Sequence, residues 1–298
     1  MEKTTLRLQT ILYYNEIENL EKSLASVAKA VAKSREKGGV ITHVDVCYGD
    51  ASAEPIFNDE QIAEYNKRFG EYITLEYMFF GFNSGTSKGQ NVMFKTCRAE
   101  YLLAMNPDVI LCSDFFLEMM KPYAERDDVG MVEARQCPLE HPKIFDPKTG
   151  EEPWGAMACV IIPSAVFGKL GGLDEKNFFL YCDDVDFSWR LRLNGYKVIY
   201  QPRAFVYHAK RVDAKGGVEP TSAELYYSAE AALLMAYKYS DDRRLKRFLE
   251  LFEKGSEQQR KAAEEFYRRK EKGLLTERLD KNHKIASFTE WGYSENRY

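Results

Sequence analysis

The first hundred residues alternate strand-like and helix-like hydrophobic patterns, and this alternation constrains the fold more than any other feature of the chain. Residues 6–14 (LRLQTILYY) form an apolar, aromatic run that stops at Asn15 and Glu16. Ile17, Leu20, Leu24, Val27 and Val31 then recur at helical spacing up to Lys37-Gly38-Gly39, which reads as an amphipathic helix with a glycine stop. A second strand-like run over residues 40–48 ends at Gly49-Asp50, and Asn58 with Gln61 predicts a capped helix start running to Phe69. Residues 72–80 form a third run, and a Gly/Ser/Asn loop over residues 81–89 leads to a short helix expected near residues 90–97. A fourth strand over residues 101–105 ends at Asn106-Pro107-Asp108. Such alternation predicts an α/β fold, a mostly parallel sheet with right-handed crossovers and helices on both faces. Ligands of these sheets bind beyond the carboxyl ends of the strands. Asn15, Glu16, Asp50 and Asn106 to Asp108 are therefore expected along one edge, the first candidate site.

The rest of the chain is less regular. Strand-like residues 157–162 and 198–200 flank a helix expected over residues 184–194, and this half should supply the other wall of the site. After Gly216-Gly217 the composition shifts: residues 222–298 carry 16 basic and 14 acidic side chains, net +2 against −6 for what precedes them. Leu225, Ala229, Ala232 and Met235 share one helical face, as do Leu245, Phe248, Leu249 and Phe252, so a helical extension over residues 218–298 should pack on a main domain of residues 1–217.

Charge and cysteine use exclude several classes. With 42 Lys plus Arg against 46 Asp plus Glu, the net charge is −4, so no broad attraction to nucleic acid or anionic lipid is expected. The longest uncharged run, residues 153–168, has 16 residues and contains Pro163, short of the roughly 20 apolar residues of a membrane-spanning helix. The N-terminus lacks the pattern of a signal peptide, which gives a cytoplasmic expectation. Six cysteines without a Cys-x-x-Cys pair argue for reduced, mostly buried thiols rather than a zinc site or disulfide framework.

Two segments carry chemistry. YLLAMNPDV sets Asp108 just past a buried strand, where its oxygens suit a hard divalent cation; taken alone, Asn-Pro-Asp is equally an ordinary turn. FFLYCDDVDFSWRLR crowds Asp183, Asp184 and Asp186 into four residues. Their mutual repulsion would raise one pKa while the dipole of the helix they open opposes the rise. Plain N-capping is the alternative.

Four segments, in order, resemble a family 2 glycosyltransferase of the GT-A fold, and most resemble its rhamnosyltransferase-like branch. They are YYNEIENLEKSL, then NSGTSKGQN followed by YLLAMNPDV, then WGAMACVIIPSAVFGKLGGLDEKNFFLYCDDVDFSWRLRLNGY, and finally VYH, spread over residues 6–211. The C-terminal helices match no segment of the family. The resemblance implies a Rossmann-like GT-A domain with a nucleotide-binding half of about residues 1–110 and an acceptor half of about residues 111–217. It also implies an inverting enzyme that moves a sugar from a nucleotide diphosphate, dTDP- or UDP-linked, to a hydroxyl of a glycan or lipid-linked acceptor in cell-surface polysaccharide synthesis.

Carried over residue by residue, the resemblance assigns Mn²⁺ or Mg²⁺ to Asp108 and His208, with Asn106 standing where relatives have their first Asp. Asp184 becomes the general base and Asp183 its supporting carboxylate. Asn15, Glu16 and Asp50 would surround the base and ribose, although Cys47-Tyr48-Gly49-Asp50 departs from the common Asp-Asn-Gly-Ser. Gly85, Lys88 and Asn91 belong to the loop over the donor, and Asn106 and Arg190 lie toward its diphosphate. Trp154, Gly155 and Ala156 match the acceptor side, and Gly171-Gly172-Leu173-Asp174 matches a structural turn. Peripheral contact with the inner face of the membrane, a homodimer through the C-terminal helices, and a degenerate domain that binds nucleotide sugar without turnover remain open alternatives. A nucleotide-dependent dehydrogenase is disfavoured, since no Gly-x-Gly-x-x-Gly follows the first strand.

Overall fold

A computed structural model describes residues 4–208 and 220–297. Strands β1 (Leu6–Leu12), β2 (Val44–Asp50), β3 (Ile73–Phe79) and β4 (Tyr101–Met105) pair in parallel in the spatial order β3-β2-β1-β4. Helices α1 (Ile17–Glu36), α2 (Asp59–Phe69) and α3 (Gly85–Phe94) connect them, as the alternation predicted. The expected cap on α2 is present: the Asn58 side chain accepts from the Gln61 N–H while the Gln61 side chain accepts from the Asn58 N–H.

Beyond β4 the chain runs through β5 (Val109–Leu111), α4 (Phe115–Met119), α5 (Lys121–Glu125), β6 (Val129–Cys137), β7 (Cys159–Pro163), α6 (Ser164–Lys169), α7 (Asp183–Leu193) and β8 (Lys197–His208). All eight strands form one sheet in the order β3-β2-β1-β4-β7-β6-β8-β5. β7 lies antiparallel to both β4 and β6, β6 runs parallel to β8, and β5 closes the edge antiparallel to β8. The architecture is α/β, with a mixed sheet whose first half is wholly parallel.

Three boundaries differ from the sequence reading by four residues or more. Strand β2 begins at Val44 rather than residue 40. Helix α3 begins at Gly85, five residues earlier than expected, because Gly85 adopts φ +60° and the next N–H, of Thr86, donates to the Phe179 carbonyl at 2.9 Å. A helix start satisfied by a partner 93 residues away leaves no local signal. Strand β8 runs on from Tyr200 to His208, because pairing with β6 and β5 holds it extended.

One face of the sheet packs on α1, with Leu24, Val27 and Val31 against Leu8, Val46 and Leu103; the other packs Leu102, Val160 and Ile162 against Phe167, Phe187 and Leu191. Helices α8 (Ser222–Lys238), α9 (Asp242–Phe252) and α10 (Glu257–Glu271) bury Leu234, Met235, Phe248 and Phe266 in one cluster with Trp154, Val185 and Trp189. The boundary expected at Gly216-Gly217 lies outside the described residues. All six cysteines are free, and among the described residues no helix is long and apolar enough to cross a membrane.

Candidate functional site

The carboxyl ends of β4 and β8 meet because β5 turns back after Asn106-Pro107-Asp108 and pairs with β8, setting Val109 opposite His208. The Asn106 N–H donates to the Ala158 carbonyl at 2.9 Å, which fixes the turn. His208 is buried, and its Nε2 lies 3.4 Å from Asp108 Oδ1 and 3.5 Å from Asn106 Nδ2. An octahedral cation with bonds of about 2.1 Å holds neighbouring ligand atoms about 3 Å apart. One carboxylate, one imidazole and one amide at this spacing therefore match the chemistry of a divalent cation that takes its remaining ligands from phosphate and water. Among the described residues no cluster of three or more His, Cys, Asp or Glu side chains stands at metal-binding spacing. The corner is a partial donor set.

The acidic segment opens α7. Tyr181 and Cys182 both adopt the left-handed region, φ 69° and 58°, a strained approach for residues with side chains. The turn is backed by the Tyr293 hydroxyl, which accepts from Cys182 Sγ at 3.2 Å. The three aspartates then part company. Asp183 is buried and accepts from Thr86 Oγ1 at 2.9 Å. Burial pushes its carboxyl up to about 6 against that hydrogen bond. Burial, and then the neighbouring Asp183 charge, push Asp184 up to about 7. Asp186 is fully buried and serves structure: Arg190 Nε lies 2.8 Å from its Oδ2, while Lys238 Nζ and the Tyr239 hydroxyl reach its Oδ1 at 2.5 and 3.0 Å.

Other expected contacts are engaged within the protein. The Asp50 carboxylate is fully buried and accepts from the Ser52 and Ile56 N–H groups and the Tyr77 hydroxyl, so it shapes the loop after β2 rather than facing a ligand. Asn15 accepts from the Tyr13 N–H, and Glu16 caps α1 by its backbone alone. Around them Tyr13, Tyr14, Phe79 and Phe82 stand exposed at the ends of β1 and β3, with the Lys88 ammonium 4.4 Å above the Phe82 ring. Asn91 bonds Leu173 through both its amide N and O and reaches Glu175, tying α3 to the glycine turn after α6. The Arg190 nitrogens are taken by Asp186 and the Leu170 and Gly172 carbonyls. Neither side chain is presented to the edge. Gly85 lies against the approach to α7: a Cβ there would stand 2.3 Å from the Phe179 carbonyl oxygen.

Trp154, matched to the acceptor side, is only 8% exposed, its ring under the Lys143 ammonium at 4.1 Å, so it packs as core. The Gly155 N–H donates to Ser188 Oγ, and Ala156 is buried beside it. Sequence reasoning missed Thr86, the donor to Asp183, and Gln136, whose Oε1 lies 2.9 Å from His208 Nδ1. Thr86 lay within the glycine-rich loop already singled out; Gln136 carried no signal.

No family model matches the chain. It is 31% identical over 87 residues, 29% of its length, to the N-acetylglucosaminyl-diphospho-decaprenol L-rhamnosyltransferase of Mycobacterium tuberculosis, and the match spans 27% of that relative. The chain thus spans about a quarter of the curated relative's length. Among solved structures, GalNAc-T7 with UDP, GalNAc and Mn²⁺ superimposes with TM-score 0.60 at 12% identity over 80% of this chain and 51% of the other. The mannosyltransferase PcManGT from Pyrobaculum calidifontis, in complex with GDP-Man and Mn²⁺, gives 0.55 at 15% over 78% and 62%. S. aureus TarS with UDP-GlcNAc gives 0.51 at 16% over 82% and 71%. The chain has the GT-A fold of glycosyltransferases, and the 87-residue match to the rhamnosyltransferase agrees with the resemblance of its sequence to the rhamnosyltransferase-like branch of family 2.

Proposed function

We propose that the chain is an inverting glycosyltransferase that moves a sugar from a nucleotide diphosphate to a hydroxyl of a glycan or lipid-linked acceptor. The observation that carries this reading is the meeting of Asp108 and His208, 3.4 Å apart, at the sheet edge where a GT-A fold binds its donor. Asn106, Asp108 and His208 would hold a divalent cation, Mn²⁺ or Mg²⁺, which neutralises charge on the departing diphosphate. Asp184 takes the proton of the acceptor hydroxyl as its oxygen attacks the anomeric carbon, and a carboxyl raised to about 7 suits a base working near neutral pH. A single base opposite the leaving group gives inversion. Asp183 supports Asp184 electrostatically, and the exposed aromatic side chains near β1 and β3 offer faces for a nucleobase.

A dTDP- or UDP-sugar is the donor class this reading favours, supported by the rhamnosyltransferase similarity and by the UDP complexes among the structural neighbours. The lipid-linked acceptor is supported by the name of the M. tuberculosis relative, and with it goes our reading of a cytoplasmic protein beside the membrane face. The binding-only alternative draws on Asn106 and on the internally engaged Asp50. Thermal shift with UDP-, dTDP- and GDP-sugars, with and without Mn²⁺, tests the donor and metal. Metal-dependent stabilisation by one nucleotide class, lost in Asp108→Ala, is expected. Nucleotide binding without turnover on any acceptor panel, equal in wild type and Asp184→Asn, would favour the binding-only alternative.

A further inference from the structure

Beside the Asp108–His208 corner lies a buried polar chain that no sequence pattern announces. Lys143, 4% exposed, contacts Glu133, reaches Glu152 at 3.3 Å, and donates to the Trp154 carbonyl at 2.7 Å. A buried ammonium is tolerated only with a countercharge, and one cation facing two buried carboxylates leaves one of them protonated. Burial, and then the Glu133 charge, push Glu152 well up. Against its own burial, Glu133 is held below the ordinary value by Lys143 and by a hydrogen bond from Glu152. Glu133 is therefore the anion and Glu152 the acid.

Three residues along β6, Gln136 Nε2 lies 3.4 Å from Glu133 Oε1, while its Oε1 lies 2.9 Å from His208 Nδ1. An amide beside a carboxylate turns its NH₂ toward it, because an amide oxygen there would face a second acceptor. The Gln136 carbonyl is thereby committed to His208 Nδ1, which must carry the hydrogen. In the neutral ring Nε2 is then left as a lone pair toward Asn106 Nδ2 at 3.5 Å and Asp108 Oδ1 at 3.4 Å.

We propose that Gln136 is a positioning residue: oriented by Glu133, it holds His208 in the Nδ1-protonated tautomer and so presents the Nε2 lone pair to the divalent cation. The proposal rests on the metal reading above, and it adds the ionised Glu133–Lys143 pair as the feature that decides which imidazole nitrogen can ligate. Outer partners of this kind set both ring orientation and ligand basicity.

The experiment is a long-range ¹H–¹⁵N correlation of the imidazoles in the full-length, metal-free protein, above the pH range of histidine protonation. His208 is assigned among the four histidines by its loss in His208→Gln. Wild type is expected to show His208 with hydrogen on Nδ1 alone. Gln136→Leu and Glu133→Gln, checked for native amide spectra, are expected to move it toward the Nε2–H form or a mixture, and to weaken Mn²⁺ binding in the presence of UDP by about 10- to 100-fold. An Nε2–H tautomer in wild type, or an unchanged tautomer in both variants, overturns the positioning role even where Mn²⁺ binds. The expected tautomers with no Mn²⁺ binding in wild type, with UDP or GDP, overturn the metal reading and the cation half of the proposal with it.

Discussion

Lys238 of α8 and Asp186 of α7 form a buried ion pair, Nζ to Oδ1 at 2.5 Å, and the same ammonium reaches Asp174 Oδ2 at 2.6 Å. One lysine from the C-terminal helices thus ties together the turn before the acidic segment and the helix that carries it. The helical extension is in this sense part of the support beneath Asp183 and Asp184.

Removing that lysine takes away the cation beside Asp174 and one of the two beside Asp186, which keeps Arg190. Lys238→Met is expected to destabilise the protein by about 3–5 kcal/mol, the usual consequence of breaking a buried pair from one side. Asp186→Asn combined with Lys238→Met should recover part of the loss. Urea unfolding of the single and double variants checks this, and equal stability of Lys238→Met and wild type would show that the pair carries no net load.

Asp184 is held with a raised pKa at some cost to folding. Its value in the folded state is about 7 against an ordinary 3.8, so the folded protein binds a proton that the unfolded chain has lost, and stability falls as pH rises through that window. Asp184→Asn removes this titration. The variant should match wild type below the ordinary carboxylate range and become more stable above pH 7, by a few kcal/mol at about 1.4 kcal/mol per pH unit. Denaturant midpoints across pH measure it.

Catalysis, on the proposed reading, runs the other way with pH. The base must be ionised, so kcat/KM should rise with pH with an apparent pKa of about 6–7, shared by the coupled Asp183–Asp184 pair. Thr86→Val removes the hydroxyl that favours ionised Asp183. With Asp183 protonated to higher pH, the charge that raises Asp184 is lost, so the acidic limb should move downward; an unmoved limb would exclude the pair as the titrating group.

Gly85 joins α3 to the approach to α7. Gly85→Ala would place a methyl 2.3 Å from the Phe179 carbonyl oxygen at φ +60°, a clash with backbone in a conformation already costly for alanine by about 1–2 kcal/mol. A loss of at least that size is expected in thermal denaturation, with weaker nucleotide-dependent stabilisation than in wild type.

The sequence by itself determined the strand and helix alternation, the strand-end residues of the first half, the α2 cap and the acidic head of α7. These are local: hydrophobic periodicity, glycine stops and capping residues act within one or two turns of chain. β4 is found at residues 101–105 as read, and the paired Asn58–Gln61 cap was visible three residues apart. Partners were not visible. Asp108 and His208 were linked in advance only by family resemblance; the contact itself depends on β5 pairing with β8 across a hundred residues. Asp50, Asn91 and Arg190 were assigned to the donor by the family resemblance, yet in the fold each satisfies its polar atoms within the protein. The Glu133–Lys143–Glu152 group and Gln136 are unremarkable residues in sequence. Only the tertiary structure, by taking their charges out of water together, decided which are ionised and which way each hydrogen bond runs.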